Sequence, residues 1–138
     1  MDTPTAGRSA TGSDDHGSGS LLAVTTSAAA RRYVSKFLER IGVSLDSVIA
    51  ADALMVTTEL VTNAIRHGGG LTLFHADLSG DALQLSVGDA STRTPTSRRG
   101  DPGRPGGYGW PLIQRLTEHI DITLRSDGKT ITAVLRLS

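Results

Sequence analysis

Residues 44–67 constrain the fold more than any other part of the chain. Ser44 suits an N-cap, and the periodicity predicts a helix from there to about His67. Ala53, Val56, Leu60 and Ala64 line one side of it, and Leu54, Val61 and Ile65 line an adjacent side. A helix apolar over so much of its girth cannot lie free on a surface; it needs a sheet beneath it and helices beside it. One row breaks the pattern. Glu59, Asn63 and His67 stand four residues apart, with Asp52 and Met55 continuing the row upward and Arg66 just beside it. Residues at i, i+4 and i+8 drift little around a helix, so these side chains project along one line. Gly68, Gly69 and Gly70 then stop the helix.

The flanking segments supply what this helix must pack against. In residues 27–41, Ala30, Tyr33, Val34, Phe37, Leu38 and Ile41 repeat with helical period, with Ser27 as a candidate cap and Gly42 suited to the C-terminal turn. Residues 71–91 alternate in polarity around Ser79-Gly80-Asp81 and predict an antiparallel hairpin; Leu83, Leu85, Val87 and Asp89 share one face by the period of two. Residues 90–107 hold no large apolar side chain but four arginines (Arg93, Arg98, Arg99, Arg104), three prolines and four glycines. A loop of that length inside a compact domain reads as a lid or an insert. Residues 110–120 predict a third helix with Pro111 in its first turn and Leu112, Ile113, Leu116 and Ile120 as its buried stripe. A second hairpin follows, with Asp127-Gly128 as its turn and Ile131, Ala133, Leu135 and Leu137 facing inward. The order helix, helix, hairpin, lid, helix, hairpin implies an α+β fold: a two-layer sandwich with a mixed, mostly antiparallel sheet and helices on one face.

Composition narrows the function classes. The 138 residues suffice for one domain, placed at 21–138 with its lid at 90–107, while residues 1–20 are too poor in apolar side chains to fold and predict a disordered tail. Fourteen basic and fourteen acidic residues balance, which argues against a general electrostatic grip on nucleic acid or anionic membrane. The absence of cysteine excludes disulfides and thiolate metal sites and fits a reducing cytoplasm. No uninterrupted apolar run nears the roughly 20 residues of a membrane span, and no signal-peptide pattern opens the chain, so a soluble cytoplasmic protein is expected.

Four features carry candidate chemistry. A carboxylate and an amide one turn apart, Glu59 and Asn63, can serve as general base and as an oxygen ligand for magnesium shared with phosphates; the plain alternative is a solvated helix face. Asp89 points inward by strand parity and needs donors, which an adenine amino group or its own loop backbone can supply. Gly106, Gly107 and Gly109 precede a helix, where backbone N–H groups can approach a phosphate, or where they form an ordinary joint. Thr130 follows the last turn and is otherwise a simple strand threonine. The four histidines have no zinc-like spacing, and there is neither a serine-nucleophile elbow nor a P-loop.

Together these residues resemble one superfamily. Glu59-Leu-Val-Thr-Asn-Ala-Ile-Arg-His67 is similar to the N-box of the gyrase and histidine-kinase type (GHKL, Bergerat-fold) ATPases. Val87-Gly-Asp-Ala-Ser91 stands at the first glycine box, Gly106-Gly-Tyr-Gly-Trp-Pro-Leu-Ile113 at the second, and Gly128-Lys-Thr-Ile-Thr132 at the last motif. A glutamate four residues before the asparagine, in so short a chain, most resembles the anti-sigma-factor serine kinases. That resemblance implies ATP and Mg2+ as cofactors and a cytoplasmic regulator of transcription. It implies Glu59 as the base toward a substrate serine, Asn63 as magnesium ligand, and Arg66 as a phosphate-facing cation. It further implies Asp89 as acceptor of the adenine amino group with Thr130 beside it, and Gly107 and Gly109 against phosphates. The implied partners are a sigma factor and an anti-anti-sigma protein, with the helix at 27–41 as a partner surface and a homodimer as one arrangement. Departures are Ser91 where the first box usually has glycine, and Tyr108 and Trp110 in the second box.

Overall fold

The computed structural model describes residues 25–93 and 109–137. The expected tail at 1–20, most of the lid at 90–107, and Gly107 lie outside the described residues. Seven elements follow in order: α1 (Ser27–Arg40), α2 (Val48–His67), β1 (Leu71–Ser79), β2 (Ala82–Asp89), α3 (Gly109–Leu116), β3 (His119–Arg125) and β4 (Gly128–Arg136). The strands form one four-stranded sheet in the order β1-β2-β4-β3, and every described pairing is antiparallel rather than mixed.

Both helix starts are displaced from the expected caps. α1 is capped by Thr26, whose side chain accepts the Ala29 N–H, while Ser27 Oγ instead meets Thr62 Oγ1 on α2 at 2.9 Å. α2 begins at Val48, capped by Ser47, whose side chain accepts the Ala50 N–H. Ser44 is spent in the turn before it, accepting from Asp46 N–H at Oγ and from Ser47 Oγ at its carbonyl. Serine and threonine both make good caps, so composition alone does not choose between neighbours.

The core lies between the helices and one face of the sheet. Leu83, Leu85 and Val87 of β2 and Ile131, Ala133 and Leu135 of β4 meet Ala53, Val56, Leu60, Val61 and Ala64 of α2 and Val34, Phe37 and Leu38 of α1, all buried. Tyr33 stacks edge-on against Phe74 of β1, with ring centroids 5.9 Å apart. Ile65, expected inside, is exposed, because α2 turns that side away near its end. By length and composition α2 is the one described helix that could cross a membrane, a test that a soluble core helix also passes. Here seven of its residues are buried within the protein.

Two boundaries differ from the sequence expectation. α3 ends at Leu116, and His119 and Ile120, expected as helix, open β3. Ile120 fits a helical stripe and a strand alternation equally, and the Glu118 N–H to Val134 O bond decides for the sheet. Glu118 also holds Arg136 at the end of β4, and its carboxylate raises the pKa of that guanidinium. In the second hairpin Arg125 pairs with Gly128, so Ser126 and Asp127 make the turn and Gly128 belongs to the strand.

Candidate functional site

The polar row of α2 runs toward the open end of the sheet. Glu59 and Asn63 are half-buried, Arg66 and His67 are exposed. α3 starts directly against this row: a Cβ on Gly109 would overlap Glu59 Oε1, and Asn63 Nδ2 lies 3.9 Å from the same point. Only a glycine lets the first residue of α3 approach so near a carboxylate. A carboxylate and an amide therefore meet the N-terminal end of a helix, where backbone N–H groups lack partners within the helix.

The glycine run fixes the other end. Gly68 caps α2 through its N–H to Ala64 O, and Gly69 and Gly70 have φ of 75° and 121°, which favour glycine. Gly68 O accepts Ala90 N–H at 2.8 Å, tying the helix end to the end of β2. There is no room for a side chain at Gly68, because a Cβ would overlap the Asp89 carboxylate. From Glu59 to Gly68 the helix rises about 14 Å at 1.5 Å per residue. One rim of α2 thus links the start of α3 to Asp89.

Asp89 does point inward and is only 6% exposed. Its carboxylate accepts Ser91 N–H at 2.9 Å and Lys129 Nζ at 2.9 Å. It starts the loop through Ser91 N–H, and it also takes a cross-strand donor that the alternatives of adenine or loop backbone did not include. Lys129, 7% exposed, was missed in the sequence, although parity with Ile131 puts it on the inner face opposite Asp89. Thr130 pairs with Gly88 and Thr123 on the outer face, so Lys129, not Thr130, is the β4 side chain at the Asp89 carboxylate. Gly128 is required for approach: a Cβ there would overlap the Asp89 carbonyl oxygen.

The structure thus brings Glu59, Asn63 and Gly109 together, sets Asp89 at the far end of the same rim, leaves Arg66 exposed, and separates Thr130 from Asp89. Among the described residues no group of three or more His, Cys, Asp or Glu could hold a metal ion by itself. The donor set beside Gly109 fits magnesium nonetheless, because that ion takes one or two protein oxygens and completes its shell with phosphate and water. The α+β sandwich thus carries a buried carboxylate at one end of the α2 rim and a helix start with a carboxylate and an amide at the other.

The model of the histidine kinase-like ATPase domain matches residues 22–135, and the chain belongs to that family. Membership implies an ATP-binding domain of kinase or ATPase type. No curated protein matches significantly. Among solved structures the chain is similar to the histidine kinase domain of the blue-light activated histidine kinase from Erythrobacter litoralis EL346, at 20% identity over 83% of this chain and 62% of that one, with a TM-score of 0.48. A second structure of that kinase gives 20% identity over 83% and 42%, with a TM-score of 0.49. The Acinetobacter baumannii histidine kinase AdeS gives 21% identity over 64% and 47%, with a TM-score of 0.45. The chain therefore spans less than two thirds of each of these proteins.

Proposed function

We propose that the chain is a cytoplasmic, ATP-dependent serine kinase that phosphorylates an anti-anti-sigma protein and sequesters a sigma factor. The observation that carries the reading is the contact of Glu59 and Asn63 with the first residue of α3. A carboxylate and an amide beside the start of a helix support the roles of base and of magnesium ligand. ATP lies along the α2 rim, its adenine amino group donating to Asp89. Its phosphates would reach Asn63, Arg66 and Gly109. Asn63 would hold Mg2+ through its amide oxygen, and the ion would supply neutralisation of phosphate charge.

Glu59 orients the substrate serine. As the serine oxygen bonds to the γ-phosphorus, its proton passes to the Glu59 carboxylate, and the bond from that phosphorus to the β,γ-bridging oxygen breaks, releasing ADP. Positioning and electrostatics supply most of the acceleration. For partner binding, the outward face of α1 carries Arg31, Arg32 and Lys36 around a shallow hollow with Ala28, Ser35 and Leu54, which suits an acidic surface. The decisive experiment is phosphate incorporation into a cognate anti-anti-sigma protein with magnesium and ATP. Undiminished transfer by Glu59→Ala would overturn the assigned base.

A second reading is a nucleotide-dependent binding module without transfer. The altered glycine boxes favour it: Ser91 stands where the first box usually has glycine, and Tyr108 and Trp110 occupy the second. Tight ATP binding that alters partner affinity, with no phosphate transferred, would select this reading over the first.

A further inference from the structure

Asp89 does not face the ligand end of the sheet alone. Lys129 Nζ lies 2.9 Å from Oδ1 and 2.9 Å from Oδ2, and Oδ1 also accepts Ser91 N–H. A carboxylate oxygen accepts two hydrogen bonds, so Oδ2 keeps an acceptor position; an ammonium has three N–H bonds, so Lys129 keeps a donor. The pair therefore presents an acceptor and a donor side by side. The sheet register sets an apolar strip next to it. Leu124 pairs with Lys129 and Ile122 pairs with Ile131, all on the inner face. Leu124 is 53% exposed and Ile122 half-buried, so this end of the face offers aliphatic surface to a flat ring.

A carboxylate by itself discriminates between purines. It accepts from the amino group of adenine and opposes the carbonyl oxygen of a 6-oxo purine, since two acceptors would then face each other. An adjacent ammonium removes that opposition. With adenine, the amino group donates to Asp89 and ring N1 accepts from Lys129. With hypoxanthine or guanine, N1–H donates to Asp89 and O6 accepts from Lys129. The order of donor and acceptor along the base edge is reversed, and the flexible stem of lysine lets its ammonium sit on either side.

We propose that Lys129 is a specificity-determining residue that widens base recognition from adenine to 6-oxo purines. This rests on the nucleotide-binding reading of the site. The test is displacement of a fluorescent ATP analogue from the full chain by ATP, ITP and GTP, with magnesium present. The wild-type chain is expected to bind ITP within about tenfold of ATP, because each base makes the same number of hydrogen bonds to the pair. Lys129→Met is expected to worsen ITP relative to ATP by about 10- to 100-fold, the cost of leaving O6 against a bare carboxylate. Lys129→Arg keeps a cation and donors and is expected to hold the wild-type ratio.

Wild-type rejection of ITP by more than about a hundredfold would overturn the proposal, as would an unchanged ratio in a folded Lys129→Met chain. If the methionine variant does not fold, the wild-type and arginine ratios decide. Failure of wild-type chain to bind either nucleotide would overturn this proposal together with the nucleotide-binding reading, whereas ATP binding with ITP rejection overturns this proposal alone.

Discussion

At the scale of single residues, the Asp89–Lys129 pair and two glycines divide the energetics of the site from its chemistry. Each member of the pair is more than nine-tenths buried, so removing one charge strands the other. Asp89→Ala is expected to cost about 3–5 kcal/mol in urea unfolding, and the double change Asp89→Ala/Lys129→Met to recover most of that loss. Equal losses in the single and double variants would show that the pair is not coupled. Gly109 and Gly128 both forbid a side chain, but against different obstacles. At Gly128 the obstacle is the Asp89 main chain, which cannot yield, and Gly128→Ala is expected to destabilise by about 1–3 kcal/mol. At Gly109 the obstacle is the far end of the Glu59 side chain, which can swing aside. Gly109→Ala should therefore change stability by under about 0.5 kcal/mol, while on the proposed kinase reading transfer falls up to about 100-fold as Glu59 is displaced. Unfolding and phosphate-transfer assays on the two variants would show whether the effects separate in this way.

At the scale of elements, the sequence is most legible where a residue's face is set by period and least where a boundary is set by hydrogen bonds. The inward rows of β2 and β4 follow from alternation alone, and with them the inward Asp89. The buried face of α2 and its polar row follow from the helical repeat. The ends do not follow: Thr26 and Ser47 cap where Ser27 and Ser44 were expected, because the two hydroxyl residues near each helix start have similar local chemistry and only packing selects between them. The end of α3 is hidden for a related reason, since Ile120 satisfies both periods. The shift of the last turn by one residue, from Asp127-Gly128 to Ser126-Asp127, reflects a demand of packing on Gly128 that no local rule contains. Lys129 follows from the same alternation as Ile131, but a lysine on an inner face runs against the usual exposure of that residue type. The cap assignment is open to direct measurement: Ser47→Ala is expected to cost about 1 kcal/mol in denaturant unfolding, through the lost bond to Ala50 N–H. An effect near zero would show that Ser44 or solvent takes over the cap.

At the scale of the whole molecule, the site is a seam between the two layers. Glu59, Asn63 and Gly109 belong to the helix layer, Asp89 and Lys129 to the sheet, and the Ala90 N–H to Gly68 O bond is where the layers are tied at this end. A ligand that spans the α2 rim holds both layers and binds only when they are assembled. It must therefore stabilise global folding and not merely one loop. Saturation with magnesium and ATP at about 100 times the dissociation constant is expected to add about 2.7 kcal/mol. For a domain of this size that corresponds to a rise in melting temperature of about 10 °C. Asp89→Asn keeps an oxygen acceptor for Lys129 but leaves its charge uncompensated, so the variant is expected to melt below the wild type, and its ATP-induced rise, measured from its own nucleotide-free scan, to shrink. The measurement is a pair of thermal scans, with and without nucleotide, on each chain. A wild-type rise that Asp89→Asn leaves intact would place the base elsewhere on the rim, whereas a rise lost in the variant ties the adenine to the seam that joins helices to sheet.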